Sequence, residues 1–163
     1  MKPSDIQKVL IALDYDPTAQ KVAETGFSFA QSLGAEITLL HVVNDPVYYT
    51  AGDYDPIMGF TGYLTTDPML FQNSEELKKA AMKYLESTRN HLGNADIKLR
   101  VEEGDTADSI ILISEAIQAD ILVLGSHSRR WLEEILMGSV TEKILHHTTI
   151  PVLVVPTKKQ EQV

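Results

Sequence analysis

The sequence predicts an α/β fold, an open five-stranded parallel sheet in the order 3-2-1-4-5 sandwiched between helices. Three observations carry this reading. Five strand-like segments alternate with four helix-like ones, a pattern that builds a covered parallel sheet through right-handed crossovers. The first and fourth strands are apolar throughout, as strands covered on both faces must be, so they belong in the middle. The third alternates apolar and charged residues, so it is half exposed and belongs at an edge.

The elements follow in chain order. Lys8–Asp14 (KVLIALD) is the first strand. Asp16-Pro17 offers an N-cap followed by proline at the first helical position, a favoured helix start. Val22, Gly26, Phe29, Ala30 and Leu33 share one face of that helix, and Gly34 closes it. With Asp16 capping, Asp14 has no evident structural duty. Glu36–Val43 (EITLLHVV) is the second strand. Asn44–Gln72 shows neither period and is long for a connection. Its tyrosines and phenylalanines make it too apolar for a simple disordered linker. It reads as a lid or a partner-docking surface, or as an irregular insertion. Asp53 and Asp55 lack the remaining spacing of a calcium loop.

Asn73 with Glu76 opens the second helix in a variant of the capping box, and Leu77, Ala80, Ala81, Tyr84 and Leu85 line its core face. Ile97–Glu102 is the third strand. Gly104 turns the chain and Asp105 caps the third helix, whose core face is Ile110, Ile113, Ser114 and Ile117. Ile121–Leu124 is the fourth strand. Gly125 ends it, and helical spacing resumes at Gly138-Ser139 with Val140, Ile144 and Leu145. Pro151–Val155 is the fifth strand, followed by a polar tail, Thr157–Val163, expected to fray.

Composition bounds the function. The 163 residues suit one domain, 1–163, with a sizeable core. A net charge of −9 argues against non-specific binding to nucleic acid or anionic membranes. No apolar run approaches the ~20 residues of a membrane helix. Met1–Asp5 lacks the apolar core of a signal peptide, so the expected location is cytoplasmic. Absence of cysteine removes disulfide and thiolate chemistry.

The stretch from Asp120 to Pro156 organises the rest. A loop between a buried strand's carboxyl end and the next helix can bind an anion through free N–H groups and the helix dipole. Glycines there let the backbone approach a phosphate. Gly125, two residues, Ser128, nine residues, then Gly138-Ser139 resembles the G-x2-G-x9-G-[S/T] signature of universal stress proteins, in their ATP-binding branch. GSH at 125–127, GSVTEKIL at 138–145 and PVLVV at 151–155 fit the same pattern. Ser128 departs from it, standing where the signature has its second glycine. If that position needs positive φ, serine costs roughly 1–2 kcal/mol there; its hydroxyl could equally meet a phosphate oxygen.

The resemblance implies an adenine-nucleotide-binding, Rossmann-like fold with the same strand order. It implies ATP as ligand, carrying Mg2+ or Mn2+ on its phosphates. Asp14 resembles the aspartate that meets the adenosine moiety, with Ala12 and Leu13 beside it. Val42 resembles the valine whose backbone meets the adenine edge. Leu124, Gly125 and Ser128 would line the ribose and phosphate side, and Gly138, Ser139, Val140 and Thr141 would hold the phosphates. His127, Arg129 and Arg130 supply cations within the signature loop, although two adjacent arginines also suit a solvated turn. The predicted strand order sets strands one and four side by side with their helices on opposite faces, the crevice where open α/β sheets take ligands.

Other readings stand beside these. Ser139 and Glu142 fit a capping box that serves helix stability alone. His146 and His147 lie in a last helical turn, where imidazolium complements the dipole, and they suggest metal only weakly. His41 reads as a hydrogen-bonded core residue, and His91 lies at a helix end. The fifth strand is an apolar edge that invites the same strand of a second subunit, giving a homodimer through 151–155, which the resemblance also implies. Alternatively Pro151 and Pro156 blunt a lone edge. No P-loop and no G-x-S-x-G is present, and no catalytic residue is identified. The expected function is a nucleotide-binding regulatory or stress-response dimer. A nucleotide-free interaction module of the same fold, with an unidentified protein partner, is one alternative, and a slow ATPase is another.

Overall fold

The computed structural model describes residues 6–44, 74–126 and 138–157. Its elements are β1 Lys8–Ala12, α1 Ala19–Ser32, β2 Glu36–Val43, α2 Ser74–Leu92, β3 Lys98–Glu103, α3 Thr106–Ala116, β4 Ile121–Gly125, α4 Ser139–His147 and β5 Val152–Val155. The strands form one sheet, β3-β2-β1-β4-β5, with every neighbouring pair parallel. This is the order expected from strand texture. Polar alternation puts β3 at the edge with intermediate burial, while the uniformly apolar β4 is buried from Ile121 to Leu124. No described helix is long and apolar enough to cross a membrane.

The side-chain alternation of the strands divides the core in two. On one face Val9, Ile11, Leu39, Val43 and Val123 pack with Val22, Ala23 and Ala30 of α1 and with Leu77, Ala81 and Leu85 of α2. On the other, Leu10, Leu40, Val42, Leu122 and Leu124 pack with Ala107, Ile110 and Ile113 of α3 and Ile144 of α4. The helices that follow β1 and β4 therefore cover opposite faces. At the amino ends of these strands, Asp120 Oδ2 accepts from the N–H groups of Gln7 and Lys8, both at 2.9 Å, and fixes β4 against β1.

Helix ends follow local chemistry, with some departures from the sequence reading. Asp16 Oδ1 accepts the Thr18 N–H at 2.9 Å and its hydroxyl at 2.6 Å, but regular helix starts only at Ala19, after this turn. Gly34 closes α1 at φ +66, with its N–H on the Gln31 carbonyl and that of Ala35 on Ala30. This Schellman arrangement needs a left-handed residue after the helix. Leu33, expected in the core, is instead 45% exposed, because at the C-cap it has left the helix's apolar face. Asp105 caps α3 as expected, accepting the Asp108 N–H at 3.0 Å. Val140 and Leu145 of α4 are also exposed, leaving Ile144 of the expected trio in the core. The anticipated cap at Asn73 and the aromatic-rich segment 45–73 lie outside the described residues. Asn44, at the end of β2, exchanges hydrogen bonds with the Thr106 hydroxyl at 3.0 and 3.1 Å.

Candidate functional site

The carboxyl ends of β1 and β4 lie side by side at the centre of the sheet. Past Ala12 the ladder continues for one bond, from the Leu13 N–H to the Leu40 carbonyl at 2.8 Å. The chain then turns toward α1. Asp14 Oδ1 accepts the Asp16 N–H at 3.0 Å, an Asx turn. Asp14 thus has a structural duty that the sequence reading did not give it. The carbonyls of the turn are also held. His41 Nδ1 lies 2.7 Å from the Leu13 oxygen, and the Tyr84 hydroxyl donates to the Asp14 oxygen at 2.8 Å.

A carbonyl can only accept, so His41 carries its proton on Nδ1 in this contact. His41 is a hydrogen-bonded core residue, as expected, with 2% exposure. Its ring stacks on Tyr15 at 4.1 Å, and Tyr15 meets Tyr84 edge-on at 5.1 Å. Burial pushes the Tyr84 phenol well above its ordinary pKa, and the neighbouring charge of Asp14 adds to this. The hydroxyl therefore remains a proton donor throughout the physiological range.

The other wall is the start of α4. Gly138 is the N-cap, with extended backbone at φ −69 and ψ 158, and its N–H donates to the Ser126 carbonyl at 3.0 Å. The Thr141 hydroxyl donates to the Gly125 carbonyl at 2.9 Å. Ser126 reaches further: its N–H meets the Val155 carbonyl at 2.9 Å, and its Oγ accepts the Thr157 N–H at 3.1 Å. Thr157, expected to begin a frayed tail, is instead 2% exposed, because Ser126 binds it. These bonds draw together the two ends of the signature loop. His127, Ser128 and Arg129 of that loop lie outside the described residues, as does Arg130.

The capping box read at Ser139 and Glu142 does not form. Ser139 is already the first helical residue, and the extended cap position belongs to Gly138. Glu142 lies near its own helical neighbour, with His146 Nε2 3.9 Å from its carboxylate. His147 Nδ1 contacts the Lys143 carbonyl at 2.8 Å in the last turn. With Gly138 engaged by Ser126, the N–H groups of Ser139, Val140 and Thr141 are those that an α-helix leaves without an intrahelical acceptor. Lys143 is occupied by Asp105 and Asp108 at 3.1 and 3.0 Å, and its ammonium is held above its usual range by the Asp108 bond first and then Asp105.

Ala12, Val42 and Leu124 pack in the cluster on the α3 and α4 face of three adjacent strands, whereas Leu13 belongs to the opposite cluster. Gly125 earns its place through packing. A Cβ there would sit 2.9 Å from Val22 Cγ2 and 3.3 Å from Thr157 Cγ2, so the glycine lets α1 close on β4. Sequence reasoning did not identify Tyr84, Tyr15, Ser126 or Thr157 as parts of this region. The available signal was Tyr84, since a phenol on a helix's core face requires an acceptor.

The profile described as the Universal stress protein family matches residues 5–156. Universal stress protein MJ0577 of Methanocaldococcus jannaschii is 29% identical over 93% of this chain and 96% of its own length. Stress response protein NhaX of Bacillus subtilis is 28% identical over 91% and 96%. Among solved structures, that of hypothetical protein MJ0577 superposes with a TM-score of 0.70 at 25% identity, covering 95% of this chain and 99% of that one. A universal stress protein in complex with cAMP shares the fold at TM-score 0.62 and 16% identity, over 94% and 98%. One from Archaeoglobus fulgidus in complex with dAMP does so at 0.55 and 16%, over 91% and 96%.

Thr141→Val keeps the buried shape at the start of α4 and removes the bond to Gly125. It is expected to lower the urea-unfolding free energy by about 1 kcal/mol. An unchanged unfolding midpoint would show that this bond does not hold the loop ends together.

Proposed function

The chain belongs to the universal stress protein family, and from that membership we propose that it binds ATP in the crevice between β1 and β4 and acts as a regulatory stress-response homodimer. One observation carries the reading: β1 and β4 are neighbouring central strands, the Asp14 turn follows the carboxyl end of one, and Gly138 at the start of α4 is bonded back to the carboxyl end of the other. The two walls suit opposite ends of a nucleotide. A carboxylate accepts from sugar hydroxyls and repels phosphate, so Asp14 would take the adenosine end. A helix amino terminus presents N–H groups and partial positive charge, so Gly138–Thr141 would take the phosphates. Val42, Ala12 and Leu124 would form the apolar side of the adenosine pocket, with Leu13 supporting Asp14 from behind and Gly125 at the ribose and phosphate side.

The overall charge of −9 opposes a polyanion. His127 and Arg129, with Ser128 as a hydroxyl donor, would supply local compensation, and Mg2+ or Mn2+ on the phosphates would supply more. Relatives of the same fold described as complexes with cAMP and dAMP support an adenine nucleotide as the ligand class.

The dimer rests on β5. It is an edge strand of apolar residues, and Val152, Leu153 and Val154 are only half-buried within one chain. Pairing with β5 of a second copy would cover them. Sedimentation should then find twice the 18.1 kDa chain mass, and a monomer at micromolar concentration would remove the dimer from the account.

Calorimetry with Mg-ATP tests the site. Saturable uptake of about one nucleotide per chain is expected, and Gly138→Asp, which sets a carboxylate at the helix start, should abolish it. A well-folded wild-type chain that takes up no nucleotide would contradict the reading and leave the nucleotide-free interaction module.

A further inference from the structure

We propose that Tyr84 and His41 are positioning residues that hold the Asp14 turn in its binding geometry; this rests on the nucleotide reading above. Where β1 stops pairing, two successive carbonyls, those of Leu13 and Asp14, are met by side chains from other elements. His41 comes from β2 and Tyr84 from α2, at 2.7 and 2.8 Å. Tyr15, the next residue of the turn, stacks on His41 and meets Tyr84 edge-on. The three rings are each 3% exposed or less, so these hydrogen bonds run through a water-excluded cluster where they are stronger than on a surface.

The Asx bond from Asp14 to the Asp16 N–H leans on this arrangement. Fixing the Leu13 and Asp14 carbonyls fixes the peptide planes on both sides of the Asp14 Cα, and so the direction of its Cα–Cβ bond, from which the Asx bond then sets the carboxylate. That part-buried Asx bond is a single contact, and the two carbonyl bonds hold the backbone from which it is made. α2 is consequently wired to the site through one hydroxyl, with Tyr84 acting through Asp14 and requiring no ligand contact of its own.

A double-mutant cycle tests this. Tyr84→Phe keeps the ring packing and deletes only the hydroxyl. It is expected to weaken Mg-ATP and adenosine alike by roughly 5- to 30-fold. In an Asp14→Ala background the same change should alter affinity by less than about twofold, since the group it positions is gone. Exchange of the Asp16 amide should quicken in Tyr84→Phe while amides of β2 and β4 keep their protection.

Equal weakening in both backgrounds, or unchanged affinity in the single variant, would overturn the proposal. If Tyr84→Phe does not fold, His41→Asn, which keeps a donor near the Nδ1 position but loses the ring, enters the same cycle and must show the same non-additivity. If the wild-type chain binds no nucleotide, the parent reading fails, and Asp16 exchange alone decides: quickening sustains the positioning role, and unchanged exchange overturns it.

Discussion

A buried strand that stops pairing leaves carbonyls that still require donors, and in this protein that requirement shapes the carboxyl end of the central strand β1. β1 must lie at the centre, because its apolar residues need cover on both faces. It must also end where α1 departs. The Leu13 and Asp14 carbonyls are satisfied by His41 and Tyr84, and their rings close over Tyr15. Packing, hydrogen bonding and the geometry of Asp14 therefore arise from one arrangement. β4 meets the same problem differently, through the Thr141 and Ser126 bonds that return the start of α4 to the strand's end.

The charge distribution places limits on what this crevice can accept. The chain is acidic, and among the described residues Lys143, on the helix that begins at the crevice, is paired with two aspartates. Asp105, one of them, is held below the usual carboxylate range, first by the Asp108 N–H it caps and then by Lys143. In the proposed site, anion recognition would therefore fall on the backbone N–H groups at the start of α4, with His127, Arg129 and Arg130 as the cations that the loop sequence offers. Backbone donors of this kind bring positive potential without desolvating a full charge.

Much of this fold was legible because burial on two faces leaves a strong local signature. The apolar runs in β1 and β4 and the alternation in β3 agreed with the strand order that the family resemblance implied, and Asp105 was recognisable as a cap. The ends of the candidate site were legible too, as glycines and an aspartate at strand ends. What escaped was set by contacts between distant parts of the chain. Asp14 looked idle because its role depends on Asp16 and on Tyr84, 70 positions away. Ser139 looked like a cap because its spacing to Glu142 fits the pattern, yet the extended backbone falls at Gly138. Thr157 looked like the start of a tail because nothing local reveals that Ser126 takes its N–H.

The most direct test of the central claim is an amide chemical-shift titration of the 15N-labelled protein with Mg-ATP. The account predicts saturating shifts at Asp14, Asp16 and Val42 together with Ser139, Val140 and Thr141, the two walls responding at one common dissociation constant. Saturating shifts confined to other surfaces, with both walls unmoved, would contradict a nucleotide site between β1 and β4.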